Sequence, residues 1–209
     1  ISEYAHSMGN AGGNLIDYWE AIESTNFFIG GAIWDWADQA FWNVDPKTGD
    51  KYMAYGGDFG DRPNDHTFCM NGVVFPDHSP KPIYYEVKKV YQNVGVKMLD
   101  NGEIEIFNKR YFNSLSDLNV KVTLWENGKK VDSYYMPDMN IAPRTAKTFK
   151  LKFNNANFAA DKEYFVKVQF LLKKDMPWAK RGYVQMQEQL PLKSMRRIWT
   201  SQLTRYLYP

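Results

Sequence analysis

Glu3 lies in the segment Ile1-Ser-Glu-Tyr-Ala-His-Ser-Met-Gly-Asn10, with His6 and Asn10 beside it and Gly9, Gly12 and Gly13 close by. A carboxylate among hydrogen-bonding side chains and permissive backbone suits a nucleophile or a proton-transfer group. From position alone, a surface glutamate near a chain terminus fits equally well. A second cluster, Trp34-Asp-Trp36 followed by Asp38-Gln39, sets two indoles around a carboxylate. Such rings can stack on a sugar while the acid anchors its hydroxyls; they can also form an aromatic core with one capping aspartate. The third cluster runs Tyr55-Gly-Gly-Asp-Phe-Gly-Asp61, Asn64-Asp65 and Phe68-Cys-Met-Asn-Gly72. It is rich in the carboxylate, amide and main-chain oxygens that hard cations take as ligands. Taken singly, each of its residues is equally an ordinary turn former. His66 and His78 read as solvated loop residues, and Cys69 as a small buried hydrophobe. The Lys88-Lys89 and Arg196-Arg197 pairs read as solvated faces.

The elements that must hold these groups change character near residue 95. Leu15, Tyr18, Trp19 and Ile22 fall on one face of an amphipathic helix. Phe27 to Trp34, with Gly30-Gly31 inside it, reads as a buried strand closely approached by another backbone. Asp35 to Pro82 reads as a long irregular stretch, a length usually tied to function. Ile83 to Val94 reads as a helix started by Pro82. Strand, helix, strand, long loop, helix is the pattern of the last units of a (β/α)8 barrel, whose chemistry sits at the C-terminal ends of its strands. Two strands cannot close a barrel, so further strands are expected upstream of Ile1.

After Gly95 the period falls to two. Glu103 to Phe107 and Leu118 to Leu124 alternate, and Asn127-Gly128 predicts a hairpin to Val131–Tyr135. Ala146 to Phe153, Tyr164 to Leu172 and Gly182 to Leu190 are further strands. This spacing predicts an antiparallel, immunoglobulin-like β-sandwich, with no histidine, cysteine or glycine-rich loop to carry chemistry. The expected organisation is therefore mixed: a barrel end over 1–94, a sandwich over 95–195, and a linker over 196–209 leading to a further C-terminal domain.

Composition narrows the partners. A length of 209 residues allows one large or two small domains, and 44% hydrophobic with 24% charged residues fits a packed globular chain. A net charge of +2 gives no footprint for nucleic acid. No apolar run approaches the roughly 18 residues of a membrane span, so neither nucleic acid nor membrane is expected as a partner. The single cysteine excludes an internal disulfide and leaves the compartment, cytoplasmic or periplasmic, open. Aromatic residues at 16% suit either core packing or carbohydrate contact.

The string Ser2-Glu-Tyr-Ala-His-Ser-Met-Gly-Asn10 resembles the nucleophile motif of the large β-galactosidases of glycoside hydrolase family 2. Gly30-Gly-Ala-Ile-Trp-Asp-Trp-Ala-Asp-Gln39, Tyr55 to Asp61 and Phe68 to Gly72 resemble the next blocks of that family, in order and at similar spacing. The resemblance is specific through residue 75 and weaker through the β half, which is similar to the family's fourth domain. It implies hydrolysis of terminal β-galactosides with retention, Glu3 being the nucleophile. His6 would hydrogen-bond the galactose near its 6-hydroxyl, and Trp34 would wall the sugar. The Phe68 carbonyl and the Asn71 side-chain oxygen would help bind a sodium ion beside that hydroxyl, and Asn64 would lie near a magnesium-side loop. The family's acid/base glutamate, its main magnesium ligands and a further sodium-binding aspartate match no stretch of this chain. The parent is then expected to be a longer homo-oligomeric enzyme, and the isolated chain inactive. Two alternatives stand beside this: a non-catalytic sandwich module for domain packing or weak carbohydrate binding, and another family 2 specificity such as β-glucuronidase or β-mannosidase.

Overall fold

A computed structural model describes residues 1–153, 158, 159 and 161–192. The chain divides into two compact units, Ile1–Tyr91 and Gln92 onward. The expected linker over 196–209, with Arg196-Arg197, lies outside the described residues.

In the first unit, β1 (Ser2–Tyr4) pairs in parallel with β2 (Ala32–Ile33), and α1 (Leu15–Glu23) connects them. The core joins Tyr4 and Leu15 to Val73, Val74 and one face of α2 (Pro82–Val90), formed by Ile83, Val87 and Val90 at i, i+4 and i+7. Pro82 opens α2 at a position where its missing N–H costs nothing. Asn14, before α1, is left-handed and makes no capping bond. Glu86 of α2 substitutes, its carboxylate accepting from the Leu15 amide at 3.0 Å and placing negative charge at the positive end of α1. The α1 periodicity holds for Leu15 and Ile22, whereas Tyr18 is turned partly to solvent and meets Tyr4 edge-on.

Three expectations for this unit are corrected. Only Ala32–Ile33 of the apolar run 27–34 is strand. Phe27 and Ile29 are 78% and 101% exposed, because no described element covers them. The stretch 35–82 is not irregular throughout: β3 (Phe41–Val44) and β4 (Lys51–Ala54) form an antiparallel hairpin, and His66–Cys69 is a 3-10 turn. The second helix ends at Val90, with Tyr91 as its cap. Residues Val94–Met98 instead form β5, drawn into a ladder with β6 (Ile104–Asn108).

The second unit is a two-sheet antiparallel assembly. One sheet runs β11-β10-β7-β8, built from β7 (Leu118–Glu126), β8 (Lys129–Tyr135), β10 (Tyr164–Leu172) and β11 (Val184–Pro191). The other runs β5-β6-β9, with β9 (Ala146–Phe149) shorter than the expected 146–153. One core draws on both: Ile104 and Ile106 from β6 with Val120, Val122, Leu124, Val166, Val168 and Phe170. Strict alternation of buried and half-buried residues along β10 shows one face committed to that core. Asn127 and Gly128 have φ of 46° and 76°. That is the doubly left-handed turn whose twist matches the strands it joins. Asn108, wholly buried, satisfies its amide: Nδ2 donates to the Asn113 and Ile141 carbonyls, and Oδ1 accepts from the Arg110 amide.

Candidate active site

The first unit brings Glu3, His6, Trp34, Phe68 and Asn71 together near one end of the parallel pair. Ser2 pairs with Ala32 but Tyr4 pairs with Ile33, so β1 holds one residue more than its partner between these points. That extra residue is Glu3. The bulge gives it a φ of 58°, with Ala5 at 56° on the other side of Tyr4. Bulges of this kind re-aim a side chain out of the regular pleat and recur beside active sites, and Glu3 is exposed. Trp34 follows β2 directly. Its amide donates to the Tyr4 carbonyl at 3.2 Å, and the residue is 41% exposed. The carboxylate and the indole therefore stand at the same ends of two neighbouring parallel strands.

The Trp34 segment is zipped to the loop that carries the oxygen-rich block. The Asp35 amide donates to the Asn71 carbonyl, the Val73 amide to the Asp35 carbonyl, and the Gln39 amide to the Cys69 carbonyl. The Trp34–Asp35 peptide is cis, and the Asp35 carboxylate accepts from the Trp36 amide and the Gln39 side chain. Asn71 is buried. Its Nδ2 lies 3.1 Å from His6 Nε2 and donates to the Phe68 carbonyl at 3.1 Å. The His6 ring packs on Phe68 with centroids 4.9 Å apart. His6, Phe68 and Asn71, far apart in sequence, thus form one contact group. It is tied through the Asn71 main chain to the segment that carries Trp34.

The oxygen arrangement fits a hard cation in one respect. Asn71 Oδ1 is buried without a hydrogen-bond partner. An orphaned buried acceptor costs roughly 1–3 kcal/mol unless something donates to it or coordinates it. Its amide adjoins the Phe68 carbonyl, so two oxygens suited to a sodium ion share this corner. Asn64 stands apart from this group. Its Nδ2 donates to the Asp61 carbonyl, its Oδ1 accepts from the His66 amide, and it packs under Gly57, where an added Cβ would meet it at 3.2 Å. It works as a loop tie. Among the described residues no cluster of three histidine, cysteine or acidic side chains could hold a metal. Cys69 is half-buried rather than buried, its thiol directed at the His66 carbonyl.

Sequence reasoning missed how the group is held in place. Asp38 accepts from the Gly72 amide at 2.7 Å and from Lys81 Nζ, both inside the protein. An added Cβ at Gly72 would lie 2.2 Å from the Asp38 nitrogen. Asp38 and Lys81 are 43 residues apart, and no local pattern links them. Tyr4 is likewise buried, hydrogen-bonded to Trp19 and Tyr91.

Residues 1–96 match the family model for the TIM barrel domain of the family 2 glycosyl hydrolases, and residues 104–193 match the model for domain 4 of β-galactosidase. Each model covers a little under half of the chain, and together they cover most of it. Similar proteins include the β-galactosidases of Psychromonas ingrahamii, 36% identical over 95% of this chain, and Priestia megaterium, 39% identical over 92%. That of Vibrio cholerae is 37% identical over 94%. The chain spans 19% of the length of each of these relatives.

Proposed function

We propose that this chain carries the nucleophile half of a retaining β-galactosidase active site. The first unit is then the end of a (β/α)8 catalytic barrel, and the second an immunoglobulin-like supporting sandwich. The observation that carries the reading is the placement of Glu3 and Trp34 at the C-terminal ends of adjacent parallel strands, where barrel enzymes keep their chemistry.

In this reading the Glu3 carboxylate attacks the anomeric carbon of a terminal β-galactoside as the aglycone leaves, forming a galactosyl ester that water then hydrolyses. A second carboxyl group, roughly 5–5.5 Å from the first, protonates the leaving oxygen and later activates the water. Trp34 presents a flat apolar face to the sugar. His6, oriented by Asn71 and Phe68, hydrogen-bonds a hydroxyl. A sodium ion held by the Phe68 carbonyl and Asn71 Oδ1, with ligands from elsewhere, would fix a sugar oxygen electrostatically. Asn64 offers no comparable fit to magnesium, and no step is assigned to that ion.

No stretch of these residues resembles the family's acid/base segment, and general acid–base help is worth about 10²–10⁴-fold in rate. Turnover is therefore assigned to a longer polypeptide containing this sequence, and none to the 209 residues alone. Changing Glu3→Gln in that longer enzyme should abolish turnover of an aryl β-galactoside. A 2-deoxy-2-fluoro-galactoside should leave its sugar on the Glu3 peptide in mass mapping. Retained activity, or label on another residue, overturns the assignment. Side-by-side rates on aryl galactoside, glucuronide and mannoside test the sugar, galactoside being the one expected to dominate.

A further inference from the structure

The bulge at Glu3 needs a restraint. In an unbulged parallel pair the ladder steps two residues at a time on each strand, so the Ile1 carbonyl accepting from Ala32 would be followed by the Glu3 carbonyl accepting from Trp34. Here Ile1 does accept from Ala32 at 3.0 Å, but Trp34 donates to Tyr4, one residue further on. Two non-glycine residues, Glu3 and Ala5, hold left-handed φ on either side of Tyr4. Such conformations persist only where surrounding contacts over-determine them. A slip of one residue in a strand sends side chains to the opposite face.

The contacts that over-determine this turn converge on one side chain. Tyr4 is 5% exposed. Its hydroxyl accepts from Trp19 Nε1 at 2.9 Å and shares a short hydrogen bond with the Tyr91 hydroxyl. Trp19 and Tyr91 pack edge to face at 4.9 Å, so the two partners support each other. Tyr18 closes a further edge of the Tyr4 ring at 5.7 Å. Burial first, and then the bond to Tyr4, raise the Tyr91 phenol above its ordinary range. Across the parallel pair, Gly31 leaves the ring its space: an added Cβ would lie 2.9 Å from the Tyr4 ring and 3.1 Å from the Ile1 carbonyl.

We infer that Tyr4, clamped by Trp19 from α1 and Tyr91 from the end of α2, is the positioning residue that fixes the bulge and thereby aims Glu3. The inference rests on the reading of Glu3 as nucleophile. The clamp touches neither sugar nor reacting atoms. It acts by denying β1 the regular register, in which the carboxylate would leave the strand-end face. Positional error is costly in this setting, since a displacement of about 1 Å at a reacting group can lower a rate by about 10²-fold.

The test uses the full-length enzyme that contains this sequence, with Tyr4→Phe, Tyr91→Phe, the double variant, Gly31→Ala and Glu3→Gln. Active sites are counted by stoichiometric labelling with an activated 2-deoxy-2-fluoro-galactoside, and rates are expressed per labelled site. Tyr4→Phe keeps the ring but removes the hydroxyl. It should lower kcat per site and the labelling rate constant by about tenfold or more, in line with the cost of misaligned reacting groups, while KM stays within about twofold. Tyr91→Phe should give a smaller loss, and the double variant should match Tyr4→Phe alone, because both changes break one network. Gly31→Ala, which pushes on the ring without touching its hydroxyl, should reproduce the fall. If Glu3→Gln abolishes labelling but Tyr4→Phe and Gly31→Ala keep the parent's rate per site, the clamp is structural and the inference fails on its own. If the variants lose labelled sites without slowing those that remain, it fails the same way. If Glu3→Gln still labels and turns over, the nucleophile reading fails and this inference falls with it.

Discussion

Replacing Asp38 with Asn probes what holds the Asn71 loop against the Trp34 segment. The change is nearly isosteric and keeps an oxygen facing the Gly72 amide, so it removes charge and little else. The Asp38 side chain is 1% exposed and that of Lys81 10%, which leaves the ammonium buried without its counter-charge. Removing one partner of such a pair costs about 3–5 kcal/mol. Lys81 Nζ also lies 5.5 Å from the Phe75 ring centroid, a contact able to return up to about 1 kcal/mol. The lower end, about 3 kcal/mol, is therefore expected. At about 1.4 kcal/mol per factor of ten, the local opening that frees the Gly72 amide should become about a hundredfold more frequent. Hydrogen exchange at Gly72 and Val74 reads this directly in the intact chain. Adding Lys81→Met retains the stem and removes the stranded charge, so the double variant should recover more than half of the loss. A cost below about 1 kcal/mol for Asp38→Asn, or a double variant as unstable as the single one, would refute the uncompensated-charge argument.

Gly72→Ala places a methyl group against the Ala37–Asp38 backbone, which cannot swing aside as a side chain could. It should destabilise the first unit by about 1–3 kcal/mol in urea melts, with no change in the second. In the second unit, the Lys162 ammonium and then the Tyr164 hydroxyl hold the Glu126 carboxyl below its ordinary range. A depressed folded pKa contributes stability that is present above the unfolded value, about 4.3, and is lost as pH falls through the folded one. The midpoint of unfolding should therefore drop on acidification below about pH 5, and Glu126→Gln should flatten that slope. An unchanged slope would show that the pair is not linked to folding.

Where a feature was legible in the sequence, the reason is local. Tyr164–Leu172 reads as a strand because its two faces see different surroundings at every step, and Asn127-Gly128 announces its own turn. Gly30-Gly31 signals a close approach, which proves to be the Tyr4 ring and the Ile1 carbonyl at Gly31. The failures have an equally plain origin. Val87, Val90 and Val94 continue a helical spacing, although Val94 belongs to a ladder with Asn108 that no local pattern reveals. The hairpin of β3 and β4 is largely exposed on both faces, so it carries no alternation to detect. His6, Phe68 and Asn71 were singled out by motif and do meet. The Asp38–Lys81 and Tyr4–Tyr91 links pair residues whose types fit many roles, and only the folded chain selects one.

The clamp on Tyr4 also sets an order of events during synthesis. Its two partners become available at very different times. Trp19 follows Tyr4 by 15 residues, whereas Tyr91 follows it by 87. Leu15 must likewise wait for Glu86, 71 residues later, before the start of α1 is capped. Loop closure over such spans precedes the contacts that reward it. A nascent chain can thus assemble the β1–α1–β2 unit early, yet the carboxylate stays unaimed until the ribosome has delivered the end of α2. A stall or cleavage between Asn71 and Tyr91 yields a segment with every residue of the Glu3, His6, Trp34, Phe68 and Asn71 group and only the Trp19 half of the clamp that sets the first of them.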